Sequence, residues 1–198
     1  MYSFDEGSLI GELAALSDRA RTAFAAAAAT RQLRNYERLA HAAQAASDQR
    51  PREIATQLWT DLRTSAFDRG AWSSTLDEVM TLLPEEGDDW GIGHALADDA
   101  LSCLAYAIRC LLSPEPQEAA WAARRAYEAA DQAAIRVLGV QPGLPNTEAA
   151  IKSHVLVQRE LARQRDDLSL LRIDSVDEVQ RQAFANELLT EQEAASLV

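Results

Sequence analysis

Aromatic side chains are scarce in this 198-residue chain: Phe, Tyr and Trp make up 6% of it, although 47% of its residues are hydrophobic. Alanine supplies the difference, as in the run Ala25 to Ala29, and alanine has the highest helix propensity of all residues. Glycine is scarce too. With eight glycines and no Asn-Gly or Asp-Gly dipeptide between alternating apolar runs, the short-range hairpin signal is missing. These shortages exclude a β-rich fold and point to an all-α class.

The two cysteines, Cys103 and Cys110, lie seven residues apart in one predicted helix, so the helical rise sets their Cα atoms about 10 Å apart, beyond disulfide reach. They are expected to be reduced thiols packed as small hydrophobes. No stretch approaches the roughly 18 apolar residues of a membrane span, and Met1 to Ser8 has neither a basic n-region nor an apolar h-region. The expectation is a cytoplasmic protein without membrane contact. Basic charge is the last shortage. Lys152 is the sole lysine and the formal net charge is −12, so there is no basic stripe to displace counterions from nucleic acid. An acidic surface suits a basic protein partner instead, against the plainer reading that the charge keeps the chain soluble. With so much alanine, arginine in place of lysine marks a GC-rich genome.

What is present is helix punctuation. Leu9, Leu13 and Leu16 share one face of an opening helix, and Ser17 offers an N-cap for a long helix to about Ser47 that buries Phe24, Tyr36, Leu39 and Ala43. Pro51 suits the first turn of a third helix carrying Ile54, Leu58, Trp59 and Leu62. Residues 68–73 read as a loop, after which Ser73 or Ser74 caps a short helix with an apolar stripe of Leu76, Val79, Met80 and Leu83, ended by Pro84. An acidic, turn-rich loop follows to Gly93. Ile92 to Leu112 is apolar on more than one side, the mark of a central helix. Ser113-Pro114 opens a helix closed by Gly139, and Val140 to Asn146 is a linker. The next helix turns Ile151, Val155, Leu161 and Leu168 inward, and Ser175-Val-Asp-Glu178 has capping-box spacing for the last one. The result is a compact bundle of about seven helices over residues 1–190, with 191–198 a flexible tail. Its expected core includes Phe24, Leu58, Leu62, Leu83, Leu96, Leu104 and Leu161.

Several stretches in this order carry a resemblance. Leu13-Ala-Ala-Leu16-Ser17, Ala23-Phe24, Thr30-Arg31, Tyr36-Glu37-Arg38 and Leu58 to Leu62 precede Thr75-Leu-Asp-Glu-Val-Met-Thr-Leu-Leu-Pro84. Ala95-Leu-Ala-Asp98-Asp99-Ala100 and His154-Val-Leu-Val-Gln158-Arg159-Glu160-Leu161 follow. Together they resemble the YjaG-like family of uncharacterised bacterial all-helical proteins (domain of unknown function 416), over about residues 9 to 187. The close departs from it, because Ala183-Phe-Ala-Asn-Glu187 runs into Leu188-Leu-Thr-Glu-Gln where that family carries glycine and serine. The resemblance implies an all-helical fold and no assigned reaction.

Candidate chemistry is sparse. Glu37 with His41, and His94 with Asp98, are i, i+4 pairs on helices, while His154 has no acidic residue at that spacing. A metal needs three or four convergent ligands, and the Glu-x-x-His spacing of carboxylate bundles is missing, so neither metal nor cofactor is expected. Asp98 and Asp99 enter a helix that reads as buried and call for an arginine such as Arg31 or Arg109. The functional version groups Arg31, His94, Asp98, Asp99, His154 and Glu160 around a polar cleft, the site of an alternative enzyme reading. No Gly-x-Ser-x-Gly elbow or phosphate loop supports such an enzyme. Arg159, Arg163 and Arg165 read as a solvated face diluted by acids, and Ser196-Leu-Val198 as a frayed end. The leading reading is a non-catalytic interaction protein that offers Glu85, Glu86, Asp88 and Asp89 to a basic partner, in its sharper form an immunity protein against a basic toxin. Trp90 is then either an interface anchor or a plug in the bundle end.

Overall fold

The computed structural model describes residues 1–39, 49–85, 87–88 and 90–197. Among these residues there are ten helices and no strand, so the all-α class holds while the number of helices exceeds seven. They are α1 (Glu6–Ala14), α2 (Asp18–Leu39), α3 (Arg50–Thr64), α4 (Arg69–Thr81), α5 (Ile92–Leu112), α6 (Pro116–Leu138), α7 (Pro145–Ser153), α8 (Val155–Leu171), α9 (Val176–Ala185) and α10 (Glu191–Ala195). Ser17 caps α2 as its sequence suggests, its hydroxyl accepting from Ala20 N–H at 3.2 Å. The continuation towards Ser47, with His41 and Ala43, lies outside the described residues.

Three helices form the centre. α5 packs against both α2 and α6, which also touch each other, and α8, α9 and α3 lie around them. Alanine makes this close packing work. Ala23 and Ala25 to Ala29 on α2, and Ala119, Ala122, Ala126 and Ala130 on α6, are all buried, and such short side chains let neighbouring axes approach closely. Larger groups fill the remaining spaces: Phe24, Leu58, Trp59, Leu104 and Ile108 are fully buried.

Several boundaries move, each for a local reason. α4 begins at Arg69 because Asp68, within the segment read as a loop, accepts from Ala71 N–H at 2.9 Å and so is the cap in place of Ser73 or Ser74. α6 begins at Pro116, not Pro114, because Glu115 stays extended ahead of the second proline. The expected seventh helix is two. His154 adopts an extended conformation between α7 and α8, and its Nδ1 accepts from Leu156 N–H at 3.4 Å. That break turns Val155 outward, to 62% exposure, and Met80 is likewise exposed. Leu83 is half-buried at the edge of the core. Ser175 makes no side-chain cap for α9; Glu178 instead grips Arg181.

The carboxy-terminal segment is helical and packed as well. Thr190 and Glu193 form a reciprocal capping box that winds Glu191–Ala195 into α10, and Arg159 holds Glu193 at 2.7 Å. Leu188, Leu189 and Leu197 are buried, so residues 188–197 dock onto the bundle. At the other end, Tyr2 N–H donates to Gln158 Oε1 at 2.7 Å, and Phe4 stacks on Tyr127 with ring centroids 5.0 Å apart.

Candidate functional site

The acidic loop comes to a head at the N-terminus of α5. Trp90 N–H donates to the Gly87 carbonyl at 3.2 Å, which turns the chain around Asp88. Gly91 is the N-cap of α5, and its N–H is accepted by His94 Nδ1 at 3.2 Å, fixing the imidazole over the first turn. The Trp90 indole stacks on that imidazole with centroids 5.5 Å apart and 24° between planes. Trp90 is nevertheless 40% exposed, so it does not plug the bundle. An open groove of about 650 Å³ lies against it, lined by Ile92, His94, Gln132, Ile135 and Arg136. Arg136 Nε also donates to the Leu197 carbonyl at 3.3 Å, tying the end of the chain to this rim. Glu85 and Asp88 are exposed and have no ion-pair partner among the described residues; Glu86 and Asp89 lie outside those residues.

The residues expected around a polar cleft separate into four places. Arg31 and Glu160 do meet, but in the interior. Arg31 Nε and NH2 donate to the two Glu160 oxygens at 3.1 and 2.9 Å, while NH1 donates to Asp167 Oδ2 at 2.7 Å. Gln164 Nε2 adds a bond to Glu160 Oε1 at 3.0 Å and another to the Ala123 carbonyl at 3.1 Å. All four side chains are buried, Glu160 completely. Burial opposes the charge on Arg31, yet the two carboxylates outweigh it and hold its pKa above the ordinary value. Burial raises the pKa of Asp167 despite the guanidinium beside it. Two carboxylates sharing one cation in a dry interior leave one of them favouring its proton.

Asp99 lies elsewhere, against α6. Its oxygens accept from Arg125 NH1 at 3.0 Å and Gln132 Nε2 at 2.8 Å, and burial pushes its pKa up to about 7 against the pull of Arg125. Asp98 also pairs with Arg125, at 3.5 Å. The expected arginines do not serve here, since Arg31 of α2 pairs with Glu160 and Asp167 of α8 and Arg109 pairs with Glu118. His94 sits under Trp90, and His154 caps α8. Sequence reasoning missed Asp167 and Gln164, although Glu160, Gln164 and Asp167 follow an i, i+4, i+7 pattern that marks one face of α8.

Other chemistry is quiet. Cys103 Sγ donates to the Ala122 carbonyl at 3.1 Å, and burial raises its pKa; burial lifts Cys110 to about 11. Deprotonation, the condition for reactivity, is thus disfavoured at both thiols. No group of three His, Cys, Asp or Glu side chains is placed to hold a metal among the described residues. No helix among them is long and apolar enough to cross a membrane.

Known proteins supply a family and a fold. Residues 9–194 match the family described as Protein of unknown function (DUF416). The structure is similar to the crystal structure of a DUF416 family protein from Shewanella baltica OS155, with a TM-score of 0.76 at 15% identity, over 93% of this chain and 95% of that one. At that identity the likeness speaks for the fold alone. No curated protein matches the sequence.

Proposed function

This chain belongs to the DUF416 family of proteins of unknown function, and from its own surface we propose that it is a non-catalytic binding module that presents the Glu85–Trp90 loop to a basic protein partner. One observation carries this reading: Glu85 and Asp88, exposed and without ion-pair partners among the described residues, precede an exposed tryptophan at the rim of an open groove. Elsewhere the arginines are largely spent on the chain's own acids, as in Arg50 with Glu78, Arg52 with Glu37, Arg124 with Glu128 and Arg172 with Glu12. The surplus negative charge therefore faces solvent and steers cations towards the surface. An aromatic ring with one face free is the kind of residue that anchors an interface. The sharper form of the proposal is an immunity protein that neutralises a basic toxin such as a nuclease. An enzyme built on His94, Asp98 and Glu160 draws no support from the geometry, because Glu160 is sealed against Arg31 and does not line the groove that His94 lines.

The test compares wild type, Glu85→Lys/Glu86→Lys/Asp88→Lys/Asp89→Lys and Trp90→Ala as baits in quantitative affinity enrichment, with on-rates measured for each partner recovered. Basic proteins should be enriched by wild type, with on-rates that fall as the salt is raised past a Debye length of about 8 Å. The charge-reversed chain should associate slowly, and Trp90→Ala should dissociate fast, both at unchanged melting temperature. Equal recovery and equal on-rates for all three baits would remove the proposal. Growth rescue by co-expression with a toxic basic nuclease addresses the sharper form.

A further inference from the structure

A second concavity lies away from the acidic loop, between α3 and α4. The two helices are joined by a short turn at Ser65 to Asp68, but α3 rests chiefly on α2 and α4 on α5, so their facing sides stand apart. The space between them is a cavity of about 510 Å³, within the range of small-molecule sites. Both its ends are tied. At one end Arg50 Nε and NH2 donate to the two Glu78 oxygens at 2.7 and 2.9 Å. At the other, Trp72 Nε1 donates to Asp61 Oδ2 at 2.7 Å, and Gln57 Nε2 donates to Asp61 Oδ1 at 2.7 Å. The cavity is thus held open by bridges across it rather than formed by closure.

Its lining is of two kinds. Ile54, Phe67 and Trp72 supply apolar and aromatic surface. Glu53, Gln57 and Asp61 supply acceptors, four residues apart on one face of α3, so that the helical rise sets the two carboxylates about 12 Å apart along the axis. Asp61 is held by two neutral donors, so its position is fixed while its charge is uncompensated, and it has no cationic partner among the described residues. The one cation in the lining, Arg50, is committed to Glu78, with Glu53 at 3.4 Å. A negative cavity with an aromatic wall repels anions and favours cations that carry hydrocarbon.

We propose that the cavity between α3 and α4 binds a linear organic polycation of the polyamine class. One ammonium sits at Asp61 beside the Trp72 indole, the methylene chain runs along Ile54 past the Gln57 amide oxygen, and a second ammonium reaches Glu53. The spacing of the carboxylates matches an extended triamine better than a single ammonium.

Titration calorimetry of the full chain with spermidine, at low ionic strength, tests this directly. Spermidine should bind saturably with one-to-one stoichiometry, and propylamine should bind far more weakly. Asp61→Asn, which keeps an acceptor for the indole but drops the charge, should weaken spermidine binding by about tenfold or more. Ala71→Leu, at an exposed position of α4 that lines the cavity, fills the space without changing any charge and should abolish binding. Asp88→Asn on the acidic loop should leave it unchanged. The melting temperature of each variant checks its fold, and either cavity variant suffices if the other is unfolded. Absence of saturable binding at millimolar spermidine overturns the proposal. So does wild-type binding by the folded cavity variants, or an equal loss in Asp88→Asn, which would mark general attraction to an acidic surface.

Discussion

Arg31 carries the sharpest energetic consequence in the molecule, because its guanidinium is the counterion of both Glu160 and Asp167 where water is excluded. Removing one member of a buried ion network strands the others, at a cost of about 3 to 5 kcal/mol, whereas replacing the whole network with apolar groups is often neutral. Arg31→Met alone should therefore cost that much in urea unfolding, and Arg31→Met/Glu160→Leu/Asp167→Leu should recover most of it. A loss below about 1 kcal/mol for the single change would mean that water reaches the network. Asp99 governs a pH effect of definite sign. Its folded pKa of about 7 lies above the ordinary 3.8, so the folded state holds the proton more tightly. The stability this confers is fully present below about pH 4 and is lost as pH rises through 7, amounting to about 2 to 4 kcal/mol across that window. Asp99→Asn should abolish this component, so the difference in melting temperature between the two proteins should widen in the variant's favour from pH 5 to pH 8. A constant difference would place Asp99 in contact with water.

At the scale of elements, local signals were legible and their partners were not. Ser17, Pro51 and Gly139 sit where caps and first turns require them, and Gly139 takes the left-handed conformation at φ 62° that ends α6. The break at His154 is marked by neither glycine nor proline. It depends on Gln158, whose amide reaches back to the Lys152 carbonyl at 2.7 Å and also grips Tyr2, a contact from the far end of the chain. α10 does not stand out in the sequence although Thr190-Glu-Gln-Glu193 has capping-box spacing, because five residues carry too little periodicity to show as a helix. Its box has a measurable weight. Thr190→Ala should cost about 1 kcal/mol and loosen Arg159 from Glu193, read as faster hydrogen exchange at Ala194 than in wild type. Unchanged exchange there would show that Leu197 alone holds the segment.

For the whole molecule, periodicity told which face of a helix turns inward but not which helix it meets. The sequence therefore groups Arg31 with Glu160 correctly but points Asp98 and Asp99 of α5 to arginines that belong to other pairs. Composition was a better guide to the surface: an excess of 31 acids over 19 bases leaves Glu85 and Asp88 open to solvent once the arginines are paired. The alanine interior has a thermal consequence. A methyl group hides little hydrocarbon from water, so unfolding α2 and α6 exposes less apolar surface per residue than leucine-rich helices of equal length would. The heat capacity of unfolding falls with that area, and with it the curvature of stability against temperature. This bundle should thus trade height for breadth, holding a modest margin of stability that changes slowly between cold and heat.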